Sequence, residues 1–146
     1  PVLIERAGTA QRGSITAFYT VLVEGDDLDE PITDELRGLL DGHVVLSRKL
    51  AARGRFPAID VPQSLSRLMT RLVTPEHRVA AAKAREHLAL YEEQREMLML
   101  GAYREGANRR IDAAIAAQPL LEAFLVQAEQ ERAEFEDTKV TLCMFD

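Results

Sequence analysis

The sequence predicts an α/β stretch over residues 1–73 followed by an all-α stretch over residues 74–146. Three observations carry this reading. Gly13 to Val23 is rich in β-branched and aromatic side chains at both parities, as in a strand that is buried on both faces of a helix-covered sheet. A second short strand, His43-Val44-Val45-Leu46, lies between two helical stretches. From Thr74 onward the apolar residues recur at helical spacing nearly to the end of the chain.

Taken in order, the strand over Gly13 to Val23 is followed by Glu24, Asp26, Asp27, Asp29 and Glu30, closed by Pro31. Adjacent like charges repel, so this reads as a solvated loop. Asp34 to Leu40 is predicted as a short helix with Thr33 as its N-cap. Asp41-Gly42 turns the chain into the second strand, and Ser47 to Arg53 forms a helix that Gly54 ends. Arg55 to Val73 is expected to be irregular, because Pro57 and Pro62 bracket Ala58-Ile59-Asp60-Val61.

Thr74-Pro75-Glu76 supplies a capping hydroxyl, a first-turn proline and an acid at the positive end of the dipole. The helix behind it is predicted to run to about Leu100, burying Ala81, Ala84, Leu88, Tyr91 and Leu98. Gly101 ends it. Asn108 is the expected cap of a third helix with Ile111, Ala114 and Ile115 inward, and Pro119 the opening of a fourth with Leu121, Phe124, Leu125 and Ala128 buried. The tail Val140 to Phe145 suits a short helix or a strand. Two strands do not make an α/β sheet, so the N-terminal part is expected to be one portion of a larger sheet.

The bulk properties exclude several classes. The 146 residues suit one domain or parts of two, and 47% hydrophobic with 29% charged residues suits a folded protein. A net charge of −6 argues against a general nucleic-acid binder, which needs a basic excess. Cys143 is the single cysteine, so no internal disulfide forms, as suits a reducing cytosol. No apolar run reaches the ~18 residues that span a bilayer. His43, His77 and His87 lack a second ligand at metal spacing, and no metal site is expected. The chain opens at Pro1 without Met, as expected of a processed protein or, in preference, of a segment from inside a longer one.

Three stretches then carry a resemblance: Glu5-Arg6-Ala7-Gly8 with Gly13 to Asp27; Leu40-Asp41-Gly42-His43-Val44-Val45-Leu46-Ser47-Arg48; and Phe56-Pro57-Ala58-Ile59-Asp60-Val61 running on to Ser64-Leu65-Ser66-Arg67. In this order and spacing they resemble the export ATPases of type III secretion and bacterial flagella, relatives of the catalytic subunits of rotary ATP synthases. Leu90-Tyr91-Glu92-Glu93 and Ala123-Phe124-Leu125-Val126-Gln127 extend the likeness, whereas Gly106 to Arg110 departs from the family's Gly-Ser-Asp-Pro-like run. Ser47 to Ala52 is slightly closer to the virulence-type pattern than to the flagellar one.

The resemblance implies the last strands of a RecA-like P-loop ATPase core over residues 1–73 and a C-terminal helical bundle domain over residues 74–146. It implies a cytoplasmic homohexameric ring at the inner face of the bacterial inner membrane, peripherally associated with the membrane export apparatus. ATP and magnesium would bind the intact enzyme. Export chaperones, secreted substrates and a central stalk protein would be its partners, the stalk facing Tyr103 to Arg110. Hydrolysis would drive chaperone release and substrate unfolding. The alternative is a helical interaction module that docks chaperones or the stalk without chemistry.

Two site residues follow from the same resemblance. Arg67 matches the arginine that reaches a neighbouring subunit's γ-phosphate, where a permanently charged, forked guanidinium suits developing phosphate charge. From local sequence alone it reads as a solvated surface residue, and the surrounding motif reverses that reading in favour of the finger. Phe56 matches an aromatic that stacks on adenine, usually tyrosine in the family, and the competing reading is a core phenylalanine beside Pro57. No Gly-x-x-x-x-Gly-Lys-Ser/Thr phosphate loop occurs in the chain, so the segment alone is expected to be inactive. Arg48, Lys49, Arg53 and Arg55 form a basic run, a solvated helix face or a partner for the acidic 24–30 loop of a neighbour.

Overall fold

The computed structural model describes residues 4–23, 25 and 30–145, the side chain of Glu5 aside. The chain divides into two compact units, residues 1–43 and 44–146. In the first, a 3-10 turn over Ile4–Arg6 precedes a minimal antiparallel pair, β1 (Gly8–Thr9) and β2 (Ser14–Ile15), with Gly8 opposite Ile15 and Thr9 opposite Ser14. The Ala10 amide donates to Gly13 O at 3.0 Å to close the turn, and Gly13 takes φ +84°.

The long strand expected over Gly13 to Val23 reduces to β2. Residues 16–23 have no regular structure, and Phe18 and Leu22 are 95% and 91% exposed. A doubly buried strand takes its form from ladders on both sides, and among the described residues none pairs with 16–23. The acidic residues Glu24, Asp26, Asp27 and Asp29 lie outside the described residues.

Helix α1 runs over Pro31–Leu39 with Glu30 at the N-cap position, three residues earlier than expected. Pro31 is preset to the helical φ, so the first turn begins there. Thr33 is therefore inside the helix and not its cap; it is buried and its hydroxyl donates to Glu30 Oε1 at 2.9 Å.

Strand β3 (Gly42–Leu46) and helix α2 (Arg48–Ala52) follow as the pattern predicts, with Ser47 Oγ capping the Leu50 amide. The stretch expected to be irregular contains β4 (Ile59–Ser66), which pairs with β3, and a short α3 (Met69–Leu72). Pro62 masks β4 because it cannot donate to a ladder. Side chains take over locally: Asp60 accepts from the Gln63 amide at 3.1 Å and from Gln63 Nε2 at 2.9 Å. Ser64 Oγ donates back to Asp60 O at 2.6 Å.

Helix α4 spans Pro75–Met99, and Thr74 Oγ1 accepts from the His77 amide at 3.3 Å. Its buried residues are His77, Ala80, Ala84, His87 and Leu88. The stripe is thus turned from the expected one, sharing Ala84 and Leu88, because the contact is made through small residues and two histidine rings. His77 lies 6.3 Å from the Phe135 ring.

Asn108 caps α5 (Arg109–Leu125) by accepting from the Arg110 amide at 2.9 Å. The predicted break at Pro119 does not occur: α5 is one helix with the proline inside it. An interior proline costs about 3 kcal/mol. Ala114 and Leu121, 0% and 1% exposed on either side of it, keep both halves packed. Ala128 lies beyond the helix and is exposed. The tail resolves as α6 (Phe135–Leu142) and a 3-10 turn over Cys143–Phe145. Leu142 and Phe145 pack on the Ala84, Leu88 and Leu121 core together with Val61 and Ala117, and Phe145 meets Phe124 edge-on at 5.6 Å.

Candidate functional site

Phe56 is delivered by the way α2 ends. Gly54 takes φ +75°, which side chains with a Cβ disfavour. The Arg53 and Arg55 amides both return to Leu50 O at 3.1 Å, and the Gly54 amide to Ala51 O at 2.9 Å. The chain leaves this knot with the Phe56 side chain 55% exposed, so it is no core phenylalanine in this chain. Its carbonyl accepts from the Gln127 amide at 2.8 Å, lacing it to the connection after α5.

The two segments line a shallow, open cleft of about 660 Å³, with Gly54, Phe56 and Pro57 on one side and Val126, Gln127 and Glu131 on the other. The far wall is held by Gln127 Nε2 donating to Glu131 O at 3.0 Å and by the Ala128 amide donating to Glu131 Oε2 at 2.9 Å. Val126 and Gln127 had signalled only family likeness in the sequence; their place opposite Phe56 comes from the packing of α5.

Arg67 lies at the other end of the same segment, one residue past β4, exposed and away from that cleft. Its approach is fixed through Ser64. The Val45 amide of β3 donates to Ser64 Oγ at 3.0 Å, and Arg85 of α4 donates from Nη2 to Ser64 O at 2.6 Å. Arg85 had no signal in the sequence, where it belongs to the charged faces of a long helix.

The basic run has partners within the chain. Arg53 lies 3.7 Å from Glu92, and Arg55, its side chain only 12% exposed, lies 3.5 Å from Glu122. These two cations therefore tie the 53–56 turn to α4 and α5.

At the far end of α4, Gly101 at φ +64° turns the chain into a loop that closes on α5. The Tyr103 hydroxyl donates to Asp112 Oδ1 at 2.7 Å, and the Gly106 amide donates to Asp112 Oδ2 at 3.2 Å. Burial, then the Asp112 carboxylate, push the Tyr103 phenol above its usual range. Arg110 Nε donates to Glu86 Oε1 at 3.0 Å, and that hydrogen bond and charge hold the Glu86 carboxyl below the usual carboxylate range. Met99 and Leu100 beside this loop are 77% and 82% exposed.

Residues 1–66 match the ATP synthase alpha/beta family, nucleotide-binding domain, and residues 73–143 match the T3SS EscN ATPase C-terminal domain. The chain belongs to the type III secretion and flagellar ATPase family. It is 52% identical over 144 residues to the flagellum-specific ATP synthase of Treponema pallidum, covering 99% of this chain and 32% of that protein. It is 54% identical over 138 residues to the type 3 secretion system ATPase of Sinorhizobium fredii, covering 94% and 31%. The assembled ATPase EscN of enteropathogenic E. coli superposes with a TM-score of 0.93 at 43% identity, over 98% of this chain and 35% of that one. EscN in complex with its central stalk EscO gives 0.87 at 41% identity, over 98% and 34%. The chain thus spans about a third of the length of these export ATPases. The fold class is that of the closing strands and helices of their nucleotide-binding core followed by a helical domain.

The residues present include groups whose chemistry suits a base and a phosphate, at separate places and without a cradle for the phosphates between them. Phe56 offers a flat exposed ring beside a cleft, and Arg67 an exposed guanidinium. The chain contains no phosphate-loop sequence, and among the described residues no group of three His, Cys, Asp or Glu side chains could hold a metal ion. No helix among them is long and apolar enough to cross a membrane.

Proposed function

We propose that this chain is the C-terminal portion of an export ATPase that couples ATP hydrolysis to release of export chaperones and unfolding of secreted proteins. The observation that supports this best is the match to assembled EscN over 98% of the chain. In this reading the core portion ends near Val73 and the helical domain begins at Thr74, in keeping with the family matches over 1–66 and 73–143. The intact protein assembles as a cytoplasmic hexameric ring at the inner face of the inner membrane, with ATP and magnesium held largely by residues outside this chain.

Phe56 stacks on the adenine of its own subunit's nucleotide, and Arg67 reaches the γ-phosphate held by a neighbour. The two residues are separated by β4 and open onto different surroundings, which supports this division. In the intact enzyme, Arg67→Ala is expected to lower kcat by about 10³-fold or more with little change in KM. Phe56→Ala should raise KM for ATP by about tenfold, from loss of one stacking face, and leave kcat within a few-fold. Steady-state phosphate release measures both. An Arg67→Ala enzyme with wild-type kcat would remove the finger role.

The connection from Tyr103 to Arg110 is proposed to meet the central stalk, because EscN has been solved bound to EscO and Met99 and Leu100 are exposed near that connection. Met99→Ser with Leu100→Ser should weaken stalk binding at least tenfold in a pull-down or interferometry titration, with basal turnover without stalk unchanged. Unaltered binding would remove this contact.

A further inference from the structure

The hydrogen bond from Arg85 to Ser64 joins two parts of the molecule that the sequence gives no reason to connect. Ser64 is held on three sides. Its hydroxyl accepts from the Val45 amide at 3.0 Å and donates to Asp60 O at 2.6 Å, while its carbonyl accepts from Arg85 Nη2 at 2.6 Å. The contact spans 21 residues of sequence and is part-buried. A charge-assisted hydrogen bond of this kind is stronger and more directional than a neutral one.

The position of the acceptor gives the contact its meaning. Within β4, Asp60 to Ser64 is pinned locally by the Asp60 carboxylate on Gln63. Pro62 has no amide to donate, and Arg67 stands three residues past Ser64, one beyond the end of β4. Arg85 adds a tether from α4 just before the strand ends. Helix α4 is a firm base for it, since Ala84 and Leu88 on either side are buried in the core.

We propose that Arg85 is a positioning residue for Arg67: by anchoring Ser64 O it fixes the backbone from which the Arg67 guanidinium reaches a phosphate. This rests on the reading of Arg67 as an arginine finger. It assigns to the helical part of the chain a direct hold on the residue that senses a neighbour's nucleotide. A finger acts in the transition state, where a displacement of about 1 Å costs up to 10²-fold in rate. Loss of the tether therefore acts on kcat and spares nucleotide binding.

The test uses the intact ATPase with four variants: Arg85→Met, which keeps the stem and removes the donor; Arg85→Lys, which keeps a charged donor; Arg67→Ala; and Arg85→Met with Arg67→Ala. The expected result is a ten- to hundredfold loss of kcat in Arg85→Met, with KM for ATP within twofold. Arg85→Lys should recover to within about threefold of wild type. In the Arg67→Ala background, Arg85→Met should cost no more than twofold further, because a tether has nothing left to position.

The proposal is overturned if Arg85→Met leaves kcat unchanged, moves KM as much as kcat, or multiplies its full effect onto Arg67→Ala. It is also overturned if Arg85→Lys is as impaired as Arg85→Met. If Arg67→Ala itself turns over at the wild-type rate, the finger reading fails and the positioning role falls with it. If the Arg85→Met protein does not assemble, Arg85→Gln, whose shorter neutral side chain gives up the charged donor, replaces it alone and in the Arg67→Ala background and is read by the same outcomes.

Discussion

At the scale of single residues, two polar side chains show how local chemistry was and was not legible. Thr74 and Glu76 were readable because capping acts within one turn: the hydroxyl meets the His77 amide, and Glu76 is held below the usual carboxylate range by its own amide and by Thr74. Arg85 and Glu86, by contrast, look like solvent-facing charges in sequence, yet each finds a partner more than twenty residues away. Glu86 makes this testable by pH. Its folded-state carboxyl is lowered by Arg110, so its contribution is present above the unfolded carboxylate pKa and is lost as pH falls through the folded one. Thermal stability should therefore decline between about pH 5 and pH 3, and Glu86→Gln should make that decline shallower. Melting curves at a series of pH values measure it, and an identical slope in the variant would remove Glu86 from the effect.

At the scale of elements, the expected caps Thr74 and Asn108 each accept a first-turn amide, whereas Thr33 lies inside α1 and Ser47, expected as the first residue of α2, caps it. Errors arose at prolines, whose meaning depends on surroundings. Pro31 starts α1, Pro62 sits within β4, and Pro119 sits inside α5. In sequence Pro31 reads as the close of a loop, Pro62 as the edge of an irregular stretch and Pro119 as the start of a new helix, because proline cannot donate a hydrogen bond and is preset to the first helical turn. Continuation of α5 is decided by Ala114 and Leu121 packing from both sides. Since Pro119 is exposed, Pro119→Ala should restore an amide donor within the helix and stabilise the chain by about 1–3 kcal/mol. Urea unfolding measures the change; a loss of stability would mean that the proline shapes the α4–α5 contact rather than being tolerated by it.

At the scale of the whole molecule, the chain spans about a third of the length of its relatives and carries no phosphate-loop sequence. The protein as this chain alone is expected to release no phosphate from ATP above buffer, at any magnesium concentration, in a malachite green or coupled assay. Turnover that survived Arg67→Ala would overturn that account. The sequence by itself determined the family, the succession of an α/β part and a helical part, the caps, and Phe56 and Arg67 as the residues to watch. The succession and the caps are written in short-range spacing, where side-chain chemistry and helical period act directly, whereas the family and the two site residues come from the resemblance of three motifs to export ATPases. Only the tertiary structure decided that Phe56 shares a cleft with Val126 and Gln127, and that Arg85 holds the strand leading to Arg67. It also left Phe18 and Leu22 exposed where a buried strand was expected. The reason is common to all three: burial and long-range hydrogen bonds depend on which distant segment arrives opposite a residue, and local spacing carries no record of that arrival.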